Sequence, residues 1–298
     1  MSSEIELSGI DGGNPLGFLA ALGAFRTLAI TSPFGAVSLG WRDRAAWRPV
    51  LQLAKSTTKD EVIAVLDKQL RTMKGHPAFQ LGDDLKASPE EFKEYVRHAA
   101  EADDPRWAEF AASFGCEAVS DDGVIQDTAL RTMSGAGHQH FLKSMRDLVE
   151  ATTMEHLHAA LFVPWSYKDD PPTMRWDPAD DRRYALRWQN PSGDKIRTVR
   201  GANRLGIEGI PLLPTMPKGL KLYTTGFSGR GSRDTYWTWP IWRAPLSLDA
   251  VRSVLALQEI QAPRPTRPLL ERRGIVEVYR SQRLTIGKFR SFAPPQTV

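Results

Sequence analysis

The chain has 298 residues, 41% hydrophobic and 25% charged, a composition that argues against a disordered or fibrous protein and fits one large or two ordinary globular domains. No apolar run approaches the roughly 20 residues that span a bilayer, so no membrane partner is expected. The net charge of +4 hides a segregation: residues 1–160 carry 16 Lys+Arg against 23 Asp+Glu, residues 161–298 carry 23 against 12, and 18 of those 23 cations are arginine.

The opening MSSEIELSGIDGG carries acids where a signal peptide needs a positive segment followed by an apolar one, which predicts a cytoplasmic protein. Glu4 to Ile10 reads as a short strand. Asn14 then caps a helix with Pro15 at its first position, and Leu16, Phe18, Leu19, Leu22, Phe25 and Leu28 give that helix a broad apolar face. The Gly12-Gly13 entry can cradle an anion on free backbone N–H groups or make a tight turn; without dinucleotide or phosphate-loop spacing, the turn is favoured.

Ala36 to Trp41 reads as a strand and Arg42 to Arg44 as the turn after it. Thr58 with Glu61 starts a helix to about Met73, Ser88 with Glu91 another to about Ala102, and Asp104 before Pro105 a third to about Phe114. Many acids of the first half sit in these first turns, where the helix dipole favours them. The single cysteine, Cys116, excludes an internal disulfide and agrees with a reducing compartment.

Four of the six histidines follow, in SGAGHQHFL and MEHLHAAL. Imidazole is a common metal ligand, but His156 and His158, two apart on the helix expected after Thr152 and Glu155, point in different directions and cannot share one ion. His138 and His140 lie at a glycine-rich helix start, where one of them can bond to backbone or contact a phosphate, and Ser134, Gly135, Gly137 and His138 suggest a compact loop facing nucleic acid or another subunit. No metal or other cofactor is expected.

The second half changes character. Tyr184 to Trp188 and Lys195 to Val199 suggest a hairpin across Asn190 to Gly193. Gly201 to Gly209 suggests a short helix ending before Pro211, and Leu220 to Phe227 and Trp237 to Trp242 read as strands around the glycine-rich Ser228 to Arg233. Ser247 caps a helix to about Leu257, and Ile275 to Arg280 and Leu284 to Phe289 close the chain as strands. The pattern lacks βαβ alternation. It predicts an α+β protein, with a helix-rich, acidic region over 1–160 and a basic, strand- and loop-rich region over 161–298, as two regions or one intertwined domain.

Catalytic signatures are sparse. The best acidic cluster, Asp177 to Asp181, is interleaved with Arg175, Arg182 and Arg183, so ion pairs and turn chemistry account for it. Binding has better support. Arg197, Arg200, Arg204, Arg230 and Arg233 can neutralise phosphates, Asn203 can read a base edge or close a turn, and Ser228 begins the Gly229 to Arg233 loop. Trp237, Trp239 and Trp242 can stack on unpaired bases or fill a core, with burial favoured.

NPLGFLAALGAFR, SGAGHQHFL, RWDPADDRRYAL, GANRLGIEGIPLLP and YRSQRLTIGKFRSF together resemble the small large-subunit family of type I-U (also called I-G) CRISPR effector complexes, across most of the chain. The resemblance implies a non-catalytic Cascade subunit that joins backbone subunits on a guide RNA and helps recognise the protospacer-adjacent motif in target double-stranded DNA. It also implies stabilisation of the R-loop and presentation of the target to a helicase-nuclease. The chain is short for such a subunit and shows no separate C-terminal helical bundle. The alternatives are a metal-dependent nuclease or RNA-processing enzyme using His138, His140 and the Asp177 to Asp181 cluster, and a protein-binding scaffold.

Overall fold

The computed structural model describes residues 2–133, 140–180, 197–229, 234–286 and 289–298. They form the expected α+β fold, with helices packed among small antiparallel sheets. No helix among them is long and apolar enough to cross a membrane.

Strands β1 (Ser3–Glu6), β2 (Val37–Asp43) and β3 (Trp47–Leu53) make one sheet in the order β1-β3-β2. The first strand stops short of Ile10. Arg42 and Asp43 belong to β2 rather than to a turn, because each faces a residue of β3, Arg48 and Trp47. Between β1 and β2 runs α1 (Pro15–Thr31), capped by Asn14, whose side chain accepts from the N–H of Gly17 at 3.1 Å. This helix is apolar on nearly every side and is buried from Pro15 to Leu28, so it forms the axis of the molecule rather than a surface layer.

Helices α2 (Lys59–Arg71), α3 (Pro89–Glu101) and α4 (Pro105–Phe114) begin at the predicted caps, with capping boxes at Thr58 and Ser88. Strands β4 (Gly115–Asp121) and β5 (Val124–Asp127) then pair as a hairpin. Helices α5 (Phe141–Ala151) and α6 (Met154–Phe162) follow, and the cap of α6 differs from expectation. Thr152 ends α5 by donating its hydroxyl to the carbonyl of Leu148 at 2.6 Å, leaving Thr153 and His156 to form the box.

Helix α7 (Arg200–Gly209) lies against α1 and α6. Gly23 and Gly209 permit the close approach of α1 and α7: a Cβ on Gly23 would stand 1.8 Å from the carbonyl oxygen of Leu205, and one on Gly209 2.5 Å from that of Leu19. Downstream, the expected strand Leu220 to Phe227 is divided. Strands β6 (Thr215–Lys218) and β7 (Lys221–Thr224) pair across a turn at Gly219-Leu220, and β8 (Phe227–Ser228) begins after Gly226, which holds a positive φ.

The last sheet has the order β11-β10-β9-β8, built from β9 (Tyr236–Trp242), β10 (Ile275–Ile286) and β11 (Phe289–Phe292), with β12 (Gln296–Thr297) also pairing β10. Strand β10 runs unbroken where two strands were expected, since cross-strand partners continue from Trp242 through Tyr236 to Phe292. Helices α8 (Leu248–Leu255) and α9 (Arg267–Glu271) connect β9 to β10.

The tryptophans are core residues. Trp237, Trp239 and Trp242 are buried around Phe18, Trp242 donates its indole N–H to the carbonyl of Leu39 at 2.7 Å, and Trp239 donates to that of Gly12 at 2.9 Å. These contacts tie the C-terminal sheet to β2 and to the entry of α1. The larger of two hydrophobic clusters therefore crosses the 160/161 boundary, from Ile5 to Phe292.

Candidate nucleic-acid interface

The arginines around α7 have unlike surroundings. Arg197 is exposed, and its guanidinium donates to Asp170 Oδ1 at 2.8 Å and to the carbonyl of Lys168 at 2.9 Å. Arg200 is half-buried. Its backbone N–H donates to Asp169 Oδ2 at 2.8 Å, Nη2 donates to the carbonyl of Asp170 at 3.1 Å, and Nη1 lies 3.2 Å from His156 Nε2.

Arg204 and Asn203 turn inward, which corrects their expected role on a phosphate-facing turn. Arg204 is 1% exposed and donates to Glu208 Oε1 at 2.9 Å and to the carbonyl of Leu70 at 3.1 Å. Glu208 also pairs with Arg26 of α1, which contacts Glu109 of α4. A helix begins at Arg200, so Arg204 and Glu208 lie one turn apart on the face turned to α1. Asn203 is fully buried: its Oδ1 accepts from the N–H of Met174 at 2.7 Å, and its Nδ2 donates to Thr198 Oγ1 at 3.0 Å and to the carbonyl of Val199 at 3.1 Å. Its amide reads the protein's own backbone.

Ser228 ends β8, half-buried and opposite Tyr236. His138, Arg230 and Arg233 lie outside the described residues, as does most of the hairpin expected over Tyr184 to Val199. His140 directly precedes α5. Among the described residues no three of His, Cys, Asp and Glu gather as metal ligands would. Asp177 is buried at 3% exposure and accepts from Asn14 Nδ2 at 3.1 Å, Tyr167 Oη at 3.0 Å and the N–H of Ala179 at 2.9 Å. Burial pushes its pKa up, and these bonds offset the shift only in part. It is a structural joint between the start of α1 and the turn Pro178–Asp180.

A further group of arginines lies at the β10–β11 hairpin. Arg283 of β10 donates Nη1 to the carbonyl of Ala129 at 3.0 Å, and Arg290 of β11 reaches the carbonyl of Arg131 at 3.4 Å. Arg131 itself is bound by Asp84 at 3.0 Å and by Asp127. Among the described residues Arg283 has no such carboxylate, and its pKa is lowered to about 10, first by burial and then by repulsion from Arg290 and Arg131.

This hairpin also lies near at least one described end of each of the segments 134–139, 181–196, 230–233 and 287–288. The N–H of Arg283 donates at 2.8 Å to the carbonyl of Thr235, just after 230–233. Arg131 stands three residues before 134–139, the turn Pro178–Asp180 just before 181–196 lies against β11, and 287–288 joins β10 to β11. In sequence these segments carry Arg182, Arg183, Arg187, Lys195, Arg230, Arg233 and Lys288 against Asp181 and Asp194.

Arg131, Arg283 and Arg290 were not singled out from sequence. The available signal was the alternation Arg283-x-Thr285 on a strand, facing Arg290 across a short turn, but reading two separate strands concealed that pairing. Comparisons with known proteins identify no relative: no family model, no curated protein and no solved structure matches the chain.

Proposed function

We propose that this chain is a nucleic-acid-binding large subunit of a type I CRISPR RNA-guided surveillance complex. In this reading it helps recognise the protospacer-adjacent motif in duplex DNA, stabilises the R-loop and helps recruit a helicase-nuclease, while guide pairing reads the target sequence. The observation that supports it best is the hairpin bearing Arg283 and Arg290, which lies near at least one described end of the arginine-rich segments 181–196 and 230–233. Arginine is suited to this task because its planar fork matches phosphate and base edges and stays charged. Neutralising phosphates also releases condensed counterions, so binding should weaken steeply with salt.

The test is to assemble the chain with its backbone subunits and guide RNA, then titrate duplex targets with and without the motif at several salt concentrations. Salt-sensitive binding that depends on both the motif and this subunit is expected. An assembled complex that contains no nucleic acid, or that binds equally well without this chain, would refute the proposal. Metal-dependent cleavage by the purified chain, lost on substituting His140, would favour the nuclease alternative instead.

A further inference from the structure

Buried guanidinium groups are ordinarily held by carboxylates, because an isolated charge out of water is costly. Arg26, Arg131 and Arg204 follow this rule, paired respectively with Glu109 and Glu208, with Asp84 and Asp127, and with Glu208. Arg283, which is partly buried, has no carboxylate partner among the described residues. Among them its guanidinium has one bond, from Nη1 to the backbone carbonyl of Ala129, and its enclosed Nε–H meets no acceptor. Asp127, the acid within electrostatic reach, is engaged by Arg131.

A second enclosed polar atom lies beside it. Thr285 Oγ1 also lacks a partner, and because side chains alternate along a strand, Arg283 and Thr285 share one face of β10. Arg290 stands directly opposite Thr285 in the register of the hairpin and therefore shares that face. Arg290 is half-buried, and its one bond, to the carbonyl of Arg131, is long at 3.4 Å. The same face is closed on its other side by Ser281 and by Phe292, which is opposite Arg283; both are buried.

Two guanidinium groups and a hydroxyl thus share one face with donors to spare and, among the described residues, no bound carboxylate. Such a set suits an oxyanion with several oxygens, and the tetrahedral phosphodiester meets a guanidinium fork and a hydroxyl at once. We propose that Arg283, Thr285 and Arg290 form a seat for one backbone phosphate of a bound nucleic-acid strand. The proposal rests on the functional reading above and adds to it a specific place of contact.

The test uses the full chain and a fluorescent DNA oligonucleotide, with anisotropy read over a range of salt. Arg283→Gln and Arg290→Gln are each expected to weaken binding by about tenfold and to reduce the salt slope by about one. Thr285→Val, which keeps shape and removes the hydroxyl, should weaken it about threefold. Arg97→Gln on α3 should leave affinity unchanged, which separates a seat from a general loss of charge.

Melting temperature supplies a second readout. An unpaired cation retained for a ligand is kept at a cost to the fold, so Arg283→Gln should melt no lower than the unaltered chain while binding DNA more weakly. A lower melting temperature with unchanged affinity would make Arg283 a structural residue and overturn the seat. Binding by the unaltered chain that is insensitive to all three substitutions would overturn the seat alone. No binding by the unaltered chain at low salt would overturn the functional reading as well. Inorganic phosphate should compete no better than chloride at matched ionic strength; stronger competition would mark a site for free phosphate and overturn the assignment to a strand.

Discussion

The α-carbon of Gly23 faces the carbonyl oxygen of Leu205 so closely that a Cβ would stand 1.8 Å from it. Helices α1 and α7 meet at this point, and the neighbouring atoms are backbone, which cannot swing aside. Ala is the better helix former by about 1 kcal/mol, but overpacking costs about 1–3 kcal/mol or more when backbone must shift. Gly23→Ala should therefore destabilise the chain despite improved propensity, read as a lower urea midpoint. An unchanged or higher midpoint would show that the helices separate freely.

Arg204 and Glu208 form an ion pair shielded from water on both sides, with side-chain exposures of 1% and 3%. Replacing Arg204 with Met leaves Glu208 buried with Arg26 as its remaining partner, 3.4 Å away. Removing one member of a buried pair typically costs about 3–5 kcal/mol, and the second arginine places the expected loss near the lower end. Under the proposed function the folded fraction should bind DNA as before, since Arg204 does not reach the surface. A selective loss of binding at full stability would restore it to the interface.

Arg197 is the exposed counterpart. Its pair with Asp170 is a surface ion pair, worth about 0–1 kcal/mol, so Arg197→Glu should hardly move the melting temperature. Under the proposed function it should weaken binding of target DNA by the assembled complex, most visibly at low salt where screening is least. Equal affinity at low salt would remove Arg197 from the contact surface.

Asp177 gives a pH signature. Its folded pKa is raised, chiefly by burial, so the folded chain holds that proton more tightly than the unfolded chain. Its contribution is fully present below the unfolded pKa, about 3.9, and is lost as pH rises through the folded value. Asp177→Asn, of the same shape but never ionised, should gain stability relative to the unaltered chain across that rise. At pH 7 it should be at least as stable by thermal melting. A variant that loses stability as pH rises would show that the bonds from Asn14, Tyr167 and Ala179 outweigh burial.

Local features were the most legible. Asn14, Thr58, Ser88, Asp104 and Ser247 each accept a hydrogen bond from a first-turn N–H where the sequence suggested a helix start, because a cap involves residues within one turn. Strand pairing was less legible. The residues of β3 and of the β4–β5 hairpin gave no clear alternation, and β10 was divided because its partners lie on β9 and β11 rather than within its own segment. Of the eight residues expected at the interface, Asn203 and Arg204 are inside. Arg197, Arg200 and Ser228 reach the surface to differing degrees, and His138, Arg230 and Arg233 lie outside the described residues.

What the sequence by itself determined is the placement of the helix N-termini, the buried character of α1 and the segregation of arginine into the second half. Each depends on neighbours within a turn or on composition. Only the tertiary structure decided which of the described arginines are held by carboxylates and which meet backbone carbonyls instead. Arg26 pairs with Glu208, 182 positions away, whereas Arg283 reaches Ala129, 154 positions away, and among the described residues finds a carbonyl without a carboxylate. The fate of a guanidinium group is set by the charge that the fold brings to it, and that charge comes from distant parts of the chain.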